Sequence, residues 1–148
     1  VSAALDVVQG QSTTNPTAAS QHAALAALTG PQDDVVKMRE AFQKRRDAMV
    51  RGLNSLPGVS CRKPEGAFYA FADVRGLYGL ETNGKPIDND NDVTMFLLEK
   101  ARVASVGGAP FGAPGFVRFS YATSEERINA GIASMKSAID SATRLRPA

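Results

Sequence analysis

No proline interrupts the chain between Pro31 and Pro57, and inside that stretch Val35, Met38, Phe42, Met49, Leu53 and Leu56 recur at three- and four-residue steps or their sums. Lys37, Glu40, Lys44 and Asp47 take the other side of the same wheel. Asp33 or Asp34 can start such a helix, and Pro57-Gly58 ends it. The spacing predicts a long amphipathic helix over residues 35–56, and the rest of a 148-residue chain must be arranged around it. That length suits one domain, or a small domain plus a piece of its neighbour. With 43% apolar residues there is material for a real core.

The flanking segments carry weaker local signals. The chain opens VSAALDVVQGQ, with no Met, basic leader or signal-peptide pattern. Residues 1–8 therefore read as the tail of a helix, and the whole as a piece of a longer chain. Residues 10–15 read as a polar loop. Asn15-Pro16 is expected to cap an alanine-rich helix running to about Leu28, where Thr29-Gly30-Pro31 stops it. After Pro57-Gly58, residues 67–72 are rich in aromatics, as strands are, and residues 76–91 read as a loop. Asp90 or Asn91 can cap a helix bearing Val93, Phe96, Leu97, Leu98 and Ala101. Residues 103–106 make a short strand candidate, and GGAPFGAPG an irregular loop. Residues 116–122 alternate: Phe116, Arg118 and Ser120 face one way, Val117, Phe119 and Tyr121 the other. Thr123-Ser124-Glu125-Glu126 matches a capping box, with Thr123 as the cap, for a last helix that buries Ile128, Ile132, Met135 and Ile139. The closing RLRPA reads as a frayed tail. The order predicts an α+β fold, with helices covering one small mixed or antiparallel sheet.

Arg118 stands out chemically. A cation inside a strand of aromatic and β-branched residues needs an anionic partner once it is even half buried. The guanidinium fork grips a carboxylate with two parallel hydrogen bonds. An internal ion pair is the commoner use of such a residue. The loop QSTTNP offers hydroxyls, amides and a helix N-terminus, an array that suits an anion as well as a cap.

Other classes are excluded or disfavoured. A net charge of +2 argues against nucleic-acid binding through bulk charge. Cys61 is the single cysteine and His22 the single histidine, so neither an intrachain disulfide nor a Cys- or His-rich metal site can form. No apolar run is long enough to span a membrane. Asp88, Asp90, Asp92 and Glu99 mimic a calcium-loop spacing, but Val93 stands where that loop needs glycine, so no metal is assigned. GGAPFGAPG lacks the dinucleotide fingerprint, and no lysine lies in a P-loop. Cys61 reads as a small hydrophobe, His22 as packing or surface, and Arg45-Arg46 as a solvated face.

Four stretches in this order, QSTTNPTAASQHAALAAL, KPEGAFYAFADV, VASVGGAPFG and FVRFSYATSEERI, resemble the C-terminal portion of the class I, fold-type I pyridoxal-phosphate aminotransferases, near the bacterial aspartate aminotransferases. The resemblance implies residues 1–34 from the end of a large cofactor domain with a dimer-facing loop, and residues 35–148 as a small C-terminal domain entered by the long helix. It implies that Arg118 binds the substrate α-carboxylate, and that Asn15 and Thr14 reach the neighbouring subunit's site in a cytoplasmic homodimer. The turn of residues 65–68 would move with the small domain on substrate binding. Amino acids, aspartate first among them, and 2-oxo acids would be the substrates, and pyridoxal phosphate the cofactor. The Schiff-base lysine would lie upstream of residue 1, so this chain alone is expected to be inactive, with no catalytic residue of its own and no cofactor-binding residue assigned. Gly107-Gly108 replaces the family's frequent Pro-Gly, and Ala109-Pro110 its Ser-Ala. The competing reading is a non-catalytic α+β module for binding or dimerisation. Loss of a large domain would leave the alanine-rich helix uncovered and prone to self-association.

Overall fold

The computed structural model describes residues 1–13, 15–82 and 84–144, with the backbone alone for Thr143 and Arg144. The chain divides into two compact units, Val1–Lys37 and Met38–Ala148.

The first unit holds α1 (Ser2–Ser12), α2 (Ala18–Thr29) and the start of α3 (Asp33–Asn54). Helix α1 runs past Gly10 to Ser12, so the expected loop is shorter than residues 10–15. The cap of α2 is Thr17, not Asn15: the Thr17 hydroxyl accepts from the Ser20 N–H at 3.3 Å. Pro16 therefore precedes the cap instead of taking the first helical position, and its carbonyl accepts from the Gln21 side chain at 2.8 Å. Neither α1 nor α2 buries a residue, and Leu5, Val7, Val8, Leu25 and Leu28 are all exposed.

The second unit holds the core. Helix α3 begins at Asp33 as the acidic pair predicts. Val35 and Met38 are exposed, whereas Met49, Leu53 and Leu56 are buried and Phe42 packs against them. Beyond Pro57-Gly58, β1 (Ser60–Cys61), β2 (Tyr69–Asp73), β5 (Val106–Gly107) and β6 (Phe116–Ser120) form a sheet in the order β1-β2-β6-β5, antiparallel throughout. Asn54, at the end of α3, secures β1 to the helix: its amide donates to the Cys61 carbonyl at 2.9 Å, and its oxygen accepts from the Cys61 N–H at 2.8 Å. The inward face of the sheet carries Cys61, Ala70, Ala72, Val117 and Phe119, all buried. They pack with α3, with α4 (Asp90–Phe96) and its following π turn (Leu97–Ala101), and with α5 (Glu125–Ser141).

Several expectations need correction. Residues 76–91 are not one loop. They contain β3 (Leu80–Thr82) and β4 (Lys85–Pro86), which join β7 (Thr143–Arg144) in a second antiparallel sheet. Arg144 is therefore paired rather than frayed, and the remainder of RLRPA lies outside the described residues. The cap of α4 is Asn89, whose side chain accepts from the Asp92 N–H at 3.0 Å. In that helix Leu98 is exposed while Val93, Phe96, Leu97 and Ala101 are buried. The cap of α5 is Ser124 rather than Thr123, because Ser124 holds the extended conformation from which its hydroxyl reaches the Arg127 N–H. That helix buries Ile128, Met135, Ala138 and Ile139, with Ile132 half-buried. The strand expected over residues 103–106 is the shorter β5.

Candidate functional site: an arginine between two rings

The outward face of the four-stranded sheet carries the chemistry. Directly across the ladder, Phe71 of β2 pairs with Arg118 of β6, and Val106 of β5 pairs with Arg118 from the other side. Residues opposite one another in an antiparallel ladder share a face. Tyr69 and Phe116 stand at the diagonal positions of that face. The ring of Phe71 stacks on Phe116 at 5.2 Å between centroids and meets Phe111 edge-on at 6.4 Å. This face is thus largely aromatic and half-buried around Arg118, with the Arg75 guanidinium 5.9 Å from the Phe116 ring centroid at its edge.

The guanidinium carbon of Arg118 lies 4.3 Å from the Tyr69 ring centroid and 4.6 Å from that of Phe111. Both distances are well inside the range for cation–π attraction. Among the described residues, no carboxylate forms an ion pair with Arg118. The internal ion pair that the sequence favours is therefore not what the fold builds. Two ring faces hold the cation without consuming the in-plane N–H donors at its rim, which remain suited to a planar bidentate anion.

Each ring is presented by a segment fixed elsewhere. Tyr69 follows the turn of residues 65–68, where Ala67 adopts a left-handed backbone with φ 57°. The buried Tyr121 holds that turn twice: its hydroxyl donates to the Ala67 carbonyl at 2.9 Å, and its N–H donates to the Phe68 carbonyl at 2.9 Å. Phe111 lies in the loop from β5 to β6, which crosses closely over its own return. A Cβ at Gly108 would fall 2.2 Å from the Ala113 carbonyl oxygen, so only glycine fits there.

Asn15 is exposed and belongs to the first unit, Arg118 to the second. Thr14 lies outside the described residues. Asp92 receives the N–H of Asp88 at 3.1 Å and the Asn89 amide at 2.7 Å, and Asp90 turns inward to the Ala109 N–H at 2.9 Å, so these carboxylates serve caps and a loop. Arg46 is not simply solvated: its side chain is 16% exposed and pairs with Asp47 at 2.9 Å, which also meets Lys63 at 3.1 Å. Asp47 is held below the usual carboxylate range by the hydrogen bonds from Arg46 and Lys63. Arg45 lies over the Phe42 ring at 5.3 Å. Cys61 is buried, and burial pushes its thiol pKa up, as befits a core residue rather than a nucleophile. A cleft of about 540 Å³ lies beside α5, lined among others by Met49, Arg102, Phe119, Arg127 and Met135, and does not include Arg118.

Residues 1–135 match the family described as aminotransferase class I and II, so the chain belongs to that family. It is similar to the aspartate aminotransferase of Rhizobium meliloti strain 1021, at 47% identity over 138 residues, covering 93% of this chain and 34% of the relative. It is also similar to the aspartate/prephenate aminotransferase of Cereibacter sphaeroides, at 47% identity over 124 residues, covering 83% of this chain and 31% of the relative. The crystal structure of the aspartate aminotransferase from Rhizobium meliloti superposes with a TM-score of 0.86 at 46% identity, over 93% of this chain and 34% of that one. The chain thus spans about a third of the length of these relatives.

The family implies pyridoxal phosphate. Its covalent attachment is made to a lysine amine. The chain has six lysines, Lys37, Lys44, Lys63, Lys85, Lys100 and Lys136, and all are exposed. Lys37, Lys63 and Lys136 are moreover engaged in ion pairs. Among the described residues, none of these lysines is enclosed.

Proposed function

We propose that this chain is the C-terminal part of an aminotransferase that exchanges an amino group between an amino acid and a 2-oxo acid, and that Arg118 binds the substrate's α-carboxylate. The observation that carries the reading is the guanidinium held between Tyr69 and Phe111 with no carboxylate partner among the described residues. A charged, half-buried group kept in place by ring faces is preorganised for an anion that arrives from outside. Both kinds of substrate bear that anion, so one arginine serves both halves of the exchange. Aspartate is the amino acid favoured by the names of the similar proteins, and 2-oxoglutarate is the 2-oxo acid proposed with it.

In this reading residues 1–34 come from the large domain and residues 35–148 form the small one. The division of the chain at Lys37 and Met38 supports it, as do the apolar residues that α1 and α2 leave exposed. Asn15 and Thr14 contact substrate from the neighbouring subunit of a homodimer in the cytoplasm. Pyridoxal phosphate supplies the electron sink in the whole enzyme. The lysine that bonds it belongs to the part of the parent outside this chain, so the chain alone has no transaminase activity.

The test uses the full-length protein. Arg118→Lys keeps the charge and loses the planar fork, which removes on the order of 3 kcal/mol of charge-assisted hydrogen bonding and lowers kcat/KM about 100-fold. Binding of maleate, a dicarboxylate with no amino group to transfer, weakens in parallel. An Arg118→Lys protein that binds maleate as tightly as the parent would overturn the assignment. A full-length protein with no amino-group exchange at all would favour a binding or dimerisation module instead.

A further inference from the structure

Among the described residues Asp90 is the one buried charged side chain, 4% exposed. It is the first residue of α4, yet it is not the cap, because Asn89 already performs that role. Its carboxylate instead crosses to the loop between β5 and β6 and accepts the Ala109 N–H at 2.9 Å. The contact is close: a Cβ at Gly107 would lie 2.6 Å from the same Asp90 oxygen. Burial opposes ionisation of this group, but the N–H groups of Ala109, Asp90 itself, Gly115 and Gly108 outweigh it and hold the carboxyl below the usual range. Among the described residues no cation forms a salt bridge with it. A carboxylate buried without a cation is costly, and here it is offset by backbone donors that all belong to its own helix start or to this loop.

Ala109 opens the short turn Ala109–Phe111. The last residue of that turn places its ring on Arg118 at 4.6 Å and edge-on against Phe71. Half of Phe111 is exposed, so packing against the core does not fix it. The loop must hold it, and the loop is tied to the body of the unit through Asp90.

We infer that Asp90 is a positioning residue for substrate binding: by fixing the Ala109–Phe111 turn it keeps the Phe111 ring on Arg118 and so aligns the guanidinium for the substrate carboxylate. This rests on the carboxylate-binding role proposed for Arg118.

The experiment uses the full-length holoenzyme and reads KM, kcat and the dissociation constant of maleate for Asp90→Ala, Asp90→Asn and Phe111→Leu, alone and combined. Asp90→Ala raises KM and weakens maleate binding about tenfold, with kcat changed less than about threefold, because a misplaced but intact guanidinium loses alignment rather than chemistry. Asp90→Asn, whose carbonyl can still accept from Ala109, recovers most of the loss. In the Phe111→Leu background the Asp90→Ala effect falls below about twofold, since the ring it positions is already gone. An Asp90→Ala protein with a lowered melting temperature and unchanged maleate affinity overturns the inference, and so does an effect of full size in the Phe111→Leu background. If Arg118→Lys also leaves maleate binding untouched, the carboxylate reading itself has failed. If Arg118→Lys weakens binding and the Asp90 variants do not, only the positioning role has failed.

Discussion

Replacing Gly52 by alanine sets two opposing effects against each other at the contact between α3 and α5. Gly52 lies within the last turn of α3, and alanine gains up to about 1 kcal/mol there in helix propensity. A methyl group built on Gly52 would meet Ile132 of α5, at 2.5 Å from Cγ1, 2.8 Å from Cδ1 and 3.2 Å from Cγ2. The obstruction is not the far end of a flexible chain. Both branches of the isoleucine lie on the approach, and a β-branched side chain in a helix has one strongly preferred rotamer, so it cannot swing aside at low cost. The two helices must separate by some tenths of an ångström, and overpacking of this kind costs about 1–3 kcal/mol. The clash wins by about 1 kcal/mol, which lowers the melting temperature of a unit this size by about 4 °C. Urea unfolding followed by circular dichroism measures both quantities. The matching control is Gly52→Ala in an Ile132→Ala background, where the obstruction is gone and the same substitution becomes stabilising by up to about 1 kcal/mol. A Gly52→Ala protein more stable than the parent, or an effect of the same sign in both backgrounds, would refute the reasoning.

Three further outcomes follow from the structure. Asp47, Asp73, Asp90 and Glu126 are all held below the usual carboxylate range. The unfolded chain therefore binds more protons in acid, and the stability these groups contribute is present above about pH 4 and lost as pH falls through their folded values. Cys61, Tyr78 and Tyr121 are raised by burial, so stability also falls as pH rises above about 8.5 to 10, and Cys61→Ala flattens the first part of that alkaline limb. Melting temperatures across pH check both limbs, and an acid limb that begins well above pH 5 contradicts the first. The isolated chain self-associates through the exposed Leu5, Val8, Leu25 and Leu28 of α1 and α2, and sedimentation that stays monomeric across concentrations counts against it.

The elements read correctly from the sequence are those whose signal is local and repeated. The alternation of residues 116–122 put Val117 and Phe119 on the opposite face from Arg118, and β6 buries Val117 and Phe119 and leaves Arg118 half-buried. The long run after Asp33 made α3, because periodicity over several turns outweighs any single residue. Caps were displaced by one or two positions, Thr17 for Asn15 and Ser124 for Thr123. Several neighbouring side chains could accept the same N–H, and the backbone angles that select among them are set by the incoming chain. Strands β3, β4 and β7 are two or three residues long, too short for alternation to be visible, and they exist because each finds its partner across the fold.

The sequence by itself determined that Arg118 would sit in a strand, on the opposite face from Val117 and Phe119. It also determined the limits: one cysteine, one histidine and a small net charge leave little scope for a disulfide, a metal cluster or bulk binding of nucleic acid. Only the tertiary structure decided what surrounds Arg118. The two rings that hold it come from β2 and from the loop before β6, and Asp90 binds that loop through the Ala109 N–H. A charge's partners are fixed by distances through space, and those depend on strand pairing and loop closure between residues that no local pattern links.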